Sequence, residues 1–219
     1  PNHFTYTLTD GDGDTSKANL YLDGVPPKVA APAVTAHDVW VKEDGGVQLQ
    51  VSANLVNPAA HDHLTVTITG IQAGWTVDTT ASGGTYNAAT GTWTVTLPDG
   101  VNFSGGPVLH PPANTDGDLT GLTVTATTSD GLVSASATTT ENVFTDAVVD
   151  PVTVTAHDAT GLENHSIALS IGVGASADTD GSEHVTKVVI SGVPAGATLN
   201  HGTLQVDGTC LLSKADLSG

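Results

Sequence analysis

The residues best suited to chemistry in this chain are carboxylates. The densest of them stand in TDGDGDTS, where Asp10, Asp12 and Asp14 occupy every second position with only glycine between them. Like charges this close repel one another, and no Lys or Arg stands inside the run to offset them. A hard divalent cation relieves the repulsion, because calcium takes about six to eight oxygens from flexible carboxylate loops. Alternation lets a turning backbone aim successive carboxylates at one centre, and glycine permits the sharp turn. The run is not an EF-hand: Thr15 stands where the loop needs glycine, Tyr21 where it needs glutamate, and the flanks read as strands. A bland alternative is a solvated Gly-Asp turn.

Other carboxylates fit the same chemistry. ADTDGSE carries Asp178, Asp180 and Glu183 in close succession, and Glu43-Asp44 forms a shorter acidic pair. Asp23, Asp38, Asp146, Asp150 and Asp158 fall near the boundaries of the repeat described below, where an ion can clamp one unit to the next; Asp130 and Glu163 complete the expected ligands. His61-Asp62-His63 is a different donor set, since imidazole suits zinc or copper. Two histidines at i and i+2 on a strand end face one side, yet the sequence offers no third ligand, and an exposed loop explains them equally. Catalysis finds little support. GxSxG and HExxH are absent, and Cys210 in VDGTCLL has no activating motif beside it, so it reads as a packing residue. No enzyme is expected. Trp93, in an alternating strand, is expected in the core, Trp75 at the core edge, and Trp40 near a unit boundary, where an exposed ring beside an ion would suit a sugar.

Composition sets the partners. The 219 residues hold five lysines, no arginine and 23 acidic residues, for a formal net charge of -18. Nucleic acid is excluded, because its phosphates are held by clustered cations, and anionic membranes would repel the chain. No apolar run approaches the roughly 18 residues of a membrane helix. A hydrophobic content of 38% argues for a globular protein rather than an acidic disordered tail. A single cysteine rules out an intrachain disulfide.

The elements that must position the carboxylates read as β-strands. FTYTLT (4–9), ANLYL (18–22), VQLQVS (47–52), LTVTIT (64–69), TWTVTL (92–97), LTVTATT (122–128), VTVTA (152–156) and VTKVVIS (185–191) alternate apolar and polar residues with Thr and Val prominent. Period two with β-branched residues marks half-buried strands, and the Gly, Asp, Asn and Pro between them mark turns. Only SKADLSG at the end hints at a helix. Many short strands predict an all-β fold of β-sandwich type. A repeat of about 120 residues runs through the chain: VTAHD stands at 34–38 and again at 154–158, and LTVTITGIQAGW (64–75) matches VTKVVISGVPAGA (185–197). The expected division is residues 1–25 as the closing strands of one unit, 26–148 as a complete unit and 149–219 as the opening of a third. The opening Pro-Asn-His suggests an internal piece of something longer.

EDG (43–45), GGTYNAATGTWTVTLP (83–98), NFSGG (102–106), LTGLTVTATTSDG (119–131) and DTDGSE with VVISGVPAGATL (178–199) carry a resemblance. They look like the tandem repeats of giant bacterial adhesins of the repeats-in-toxin class, exported by type I secretion. That resemblance implies tandem immunoglobulin-like or cadherin-like β-sandwiches, an extracellular place on the bacterial surface, and calcium in loops and at repeat junctions, carried here onto Asp10, Asp12, Asp14, Glu43, Asp44, Asp178, Asp180 and Glu183. It also implies neighbouring repeats, or neighbouring copies, as partners. One departure stands out: where the third unit reads ADTDGSE, the complete unit reads NPAAHDHL (57–64), so only Asp62 keeps a carboxylate there. Two alternatives accompany the extender reading. One is a calcium-dependent carbohydrate-binding module. The other is a filament subunit whose partial ends complete each other between chains.

Overall fold

Thr and Val alternate along most of this chain, and that alternation decides which residues the fold turns inward. The computed structural model describes residues 2–22, 28–178 and 180–217. Strands β1 (Asn2–Thr9) and β2 (Thr15–Leu22) pair antiparallel, with Thr9 opposite Thr15. From residue 33 follow β3 (Ala33–His37), β4 (Val39–Lys42), β5 (Val47–Gln48), β6 (Gln50–Asn54), β7 (His63–Thr69), β8 (Thr76–Asp78), β9 (Thr85–Asn87), β10 (Thr92–Thr96), β11 (Phe103–Gly105), β12 (Val108–His110), β13 (Leu119–Ser129) and β14 (Ser134–Asp146). The last stretch holds β15 (Val154–His157), β16 (Ser170–Val173), β17 (Lys187–Ile190), β18 (Thr203–Leu204) and β19 (Cys210–Ser213). The helix hinted at by SKADLSG is a single 3-10 turn, Lys214–Leu217.

Two layers form a β-sandwich between residues 33 and 146. One sheet has the order β4-β14-β13-β7-β10-β9, antiparallel except for the parallel pair β4–β14. The facing layer is built from β11-β6-β3 and β5-β12-β8. These two groups meet at Leu49, whose N–H donates to the Pro107 carbonyl at 3.1 Å. The first strand changes layers at Asp38: β3 pairs with β6, and one residue later β4 pairs with β14. That switch, with the antiparallel β7, β13 and β14 beside it, gives an immunoglobulin-like strand order.

The buried core runs from Val39 to Val143, with Val34 and Ala36 of β3 packed against it. Leu64, Val66 and Ile68 of β7 and Leu122, Val124 and Ala126 of β13 point inward at alternate positions, against Leu49, Val51, Ala53 and Leu109 of the other layer. Each such side chain contributes about 1.5–3 kcal/mol by leaving water. Trp93 is fully buried, as expected; it lies against Phe103, and its indole N–H donates to the Gly83 carbonyl at 3.1 Å. Trp75 is also in the core. Gly91 is required where β10 begins: at φ 60° it lies so close to Ile71 that an added Cβ would stand 2.1 Å from that residue's carbonyl oxygen.

The outward positions of the larger sheet form a grid of hydroxyls. Thr140, Thr123, Thr69 and Thr92 stand in one rank; Thr138, Thr125, Thr67 and Thr94 in the next; Ser136, Thr127, Thr65 and Thr96 in a third. β-Branched residues favour such a half-buried pleat. Outside the sandwich little is buried. The described side chains of β1 and β2 are all exposed, and among the described residues after 150 only Cys210 and Leu212 are buried apolar residues.

Candidate metal centres

The β1–β2 turn brings its three aspartates together. Asp10 accepts hydrogen bonds from the Asp14 N–H at 2.9 Å and the Asp12 N–H at 3.4 Å, while its own N–H donates to the Asp14 carbonyl at 3.0 Å. Gly13, at φ 100°, permits the tight return. One carboxyl oxygen from each of Asp10, Asp12 and Asp14 lies within 4.8 Å of the other two, which no other group of three or more His, Cys, Asp or Glu residues among those described achieves. A hydrogen bond with the Asp12 side chain, helped by the turn's N–H groups, holds the Asp10 carboxyl below its usual range. The donor set is all oxygen, negative and exposed, which fits calcium.

A second gathering lies where the sandwich ends and the next segment begins. The connector 146–150 is gripped by carboxylates from both sides. Glu43, just past β4, is buried, and its Oε1 accepts from the Val148 N–H; its Oε2 is also buried and has no partner among the described residues. From the other side Glu183 Oε2 accepts from the Asp150 N–H at 2.8 Å and from the Ser176 hydroxyl at 3.1 Å. The acidic loop folds on itself: Asp178 Oδ2 accepts from the N–H groups of Gly181 at 2.9 Å and Glu183 at 3.0 Å. Asp180 reaches back to the sandwich, accepting from the Asp116 N–H at 2.9 Å. The Asp116 and Asp180 carboxyls share a hydrogen bond, which raises Asp116, and Asp180 is lowered chiefly by the Asp116 and Ser182 N–H groups. Neighbouring carboxyls of Asp116 and Asp180, and the orphaned buried oxygen of Glu43, are groups that a calcium ion would satisfy.

Other expected ligands are placed differently. Asp38 sits at the strand switch, where its Oδ1 accepts from the Asn142 N–H at 2.8 Å and Nδ2 at 3.0 Å. Asp130 closes the β13–β14 turn, its Oδ1 accepting from the Leu132 and Val133 N–H groups, both at 2.8 Å. Asp44, at φ 60°, accepts from the Asn114 N–H at 3.3 Å. Asp146 takes part through its carbonyl, which accepts from the Glu43 N–H at 3.0 Å. Asp158 and Glu163 are exposed in the later region. Asp23 lies outside the described residues. Two acids absent from the expectation matter: Asp116 joins the junction, and Glu141 is fully buried on β14. Asp116 was visible as a loop acid, but nothing in the sequence marks its distant partner. Glu141 stands on the alternate face of its strand shared by Ala135, Ala137 and Val143, yet a charged residue there reads as exposed.

No family model matches the chain, and no curated protein does. Among solved structures, the solution structure of CaCohA2 from Clostridium acetobutylicum is similar at a TM-score of 0.33 and 13% identity, over 54% of this chain and 92% of that one.

Proposed function

We propose that this chain is an extender segment of a large extracellular bacterial adhesin, in which tandem β-sandwiches are held as a rod by calcium at their junctions. One observation carries the reading: the connector 146–150 is held by a buried carboxylate from the sandwich before it, Glu43, and by a half-buried one from the segment after it, Glu183. A linker meant to flex would be solvated and free of such partners. Glu43, Asp116, Asp178, Asp180 and Glu183 are the carboxylates at this junction, and since no three of them offer donors within 4.8 Å of one another, an ion would have to draw its ligands together from this set. Bound calcium would supply positive charge that turns repulsion between the two acidic ends into attraction, and so remove bending freedom. Extracellular modules bind calcium at about 10⁻⁴–10⁻³ M, so the stiff state belongs outside the cell. Small-angle scattering of the chain tests this. Calcium should lengthen the largest dimension and narrow the spread of shapes relative to EDTA; an unchanged profile would count against the rod.

A calcium-dependent carbohydrate-binding role is favoured by one residue. Trp40 on β4 is 62% exposed and packs against Phe144 at 5.3 Å between ring centroids. Such a ring offers a face to a sugar, and Trp40→Ala should abolish glycan retention if that role is real.

A further inference from the structure

We propose that His61, His63 and Asp99 form a binding site for a first-row divalent transition ion, of the zinc type, at the end of the sandwich away from Glu43. The sequence shows only two imidazoles there; the fold supplies the third donor. His61 Nδ1 lies 3.4 Å from Asp99 Oδ2, and His63 Nδ1 lies 3.8 Å from Asp99 Oδ1. Donors on a tetrahedral zinc at about 2.0–2.1 Å stand about 3.3–3.4 Å apart, so both separations are close to those of ligands on one ion. The imidazoles meet opposite oxygens of the carboxylate. The three donors do not all lie within 4.8 Å of one another, so an ion would have to draw in the ring of His61, whose side chain is 84% exposed.

The backbone fixes the two loops that carry these donors. The Leu97 N–H donates to the Leu64 carbonyl at 2.8 Å, and the Gly100 N–H to the Asp62 carbonyl at 2.9 Å, one bond on either side of Asp99. Asp62 points the other way. It is buried, and its Oδ2 accepts from the Ala59 N–H at 2.9 Å, which closes the turn that leads into His61 and His63. His63 pairs with Ser129, so the Asp130 turn lies alongside. The Asp130 carboxyl is kept low mainly by the Val133 and Leu132 N–H groups, with a smaller contribution from His63. It adds negative potential beside the site.

The repeat gives the site its logic. Residues 57–64 occupy the position that Asp178, Asp180 and Glu183 hold in the following unit. There the donors are oxygens, the set calcium prefers. Here two are imidazole nitrogens, which suit zinc, copper or nickel. The same end of two successive units is thus furnished for two classes of ion. Three protein donors leave a coordination position open to water or an incoming group. This inference does not need the rod reading, and its test runs with the acidic loops already filled.

The experiment is a zinc chloride titration of the full chain in excess calcium at pH 7.5, read by competition with a chromophoric chelator. One zinc per chain is expected. His61→Ala with His63→Ala should abolish it, and Asp99→Asn should weaken it about tenfold or more. His157→Ala, on exposed β15, should leave it unchanged. Cobalt(II) in place of zinc should give visible ligand-field bands that vanish in the same variants. The tryptophan near-UV dichroism of each variant reports whether the sandwich is intact, and His61→Ala alone, at the most exposed ligand, keeps the test valid if the double variant unfolds. Failure to bind zinc in excess calcium, or binding that survives loss of both histidines, overturns the site.

Discussion

Glu141 stands among core residues, and neither of its carboxyl oxygens has a hydrogen-bond partner among the described residues. Burial, reinforced by the charge of Asp38 at the strand switch, pushes its carboxyl from the ordinary 4.5 up to about 7. The folded chain therefore keeps a proton that the unfolded chain releases near pH 4.5. The stability this contributes is complete below pH 4.5 and is lost as the pH rises through about 7. Glu141→Gln removes the charge and keeps the shape. Denaturant unfolding in EDTA should find the variant more stable than the parent by about 1–3 kcal/mol at pH 8, with the two nearly equal at pH 5. A difference that does not vary with pH would mean that the carboxyl is not the cause. The strand around it, TTTEN, offers no sign of this from sequence, because a glutamate after three threonines reads as solvated. Its place in the alternation, in phase with Ala135, Ala137 and Val143, puts it on the face that β14 turns to the core.

At the scale of elements, alternation and turn chemistry made the sandwich legible. LTVTIT, TWTVTL and LTVTATT became β7, β10 and β13, with their apolar residues inward and their threonines in ranks outside. Tertiary approach was not legible. Gly91 looks like any turn glycine, yet its place against the Ile71 carbonyl leaves no room for a side chain. Gly91→Ala should cost about 2 kcal/mol or more, from the positive φ and the backbone clash together. Thermal unfolding would show it as a fall in melting temperature. Asp99 was equally silent, since the loop after β10 carries it to two histidines from another part of the chain. The β1–β2 hairpin is a separate case. A two-stranded ribbon is marginal alone in water, and its described side chains are all exposed. Calcium at Asp10, Asp12 and Asp14 should order it. Asp12→Asn should weaken that ordering, followed by NMR of the hairpin amides, and leave the sandwich's melting temperature unchanged.

For the whole molecule, a formal charge of -18 is the governing fact. Self-repulsion of that size opposes compaction, and the fold answers it unevenly. The threonine grid of the larger sheet carries no charge, while the acids crowd into loops at the ends of elements. That crowding was readable as an acidic pattern, but the convergence of Glu43 and Glu183 on one connector, with Asp116 held by Asp180 nearby, came only from the fold. The account therefore rests on a cation at this junction. The most direct test is a calcium titration of thermal unfolding, with EDTA as the zero point, magnesium as the control and Glu43→Gln beside the parent. Each filled site should add about 2.7 kcal/mol at 100 times its Kd, which is about 5–10 °C for a chain of this size. The account predicts a rise of that order with calcium, little with magnesium, and a smaller rise in Glu43→Gln. A melting temperature indifferent to calcium, or a full rise in the variant, would contradict it.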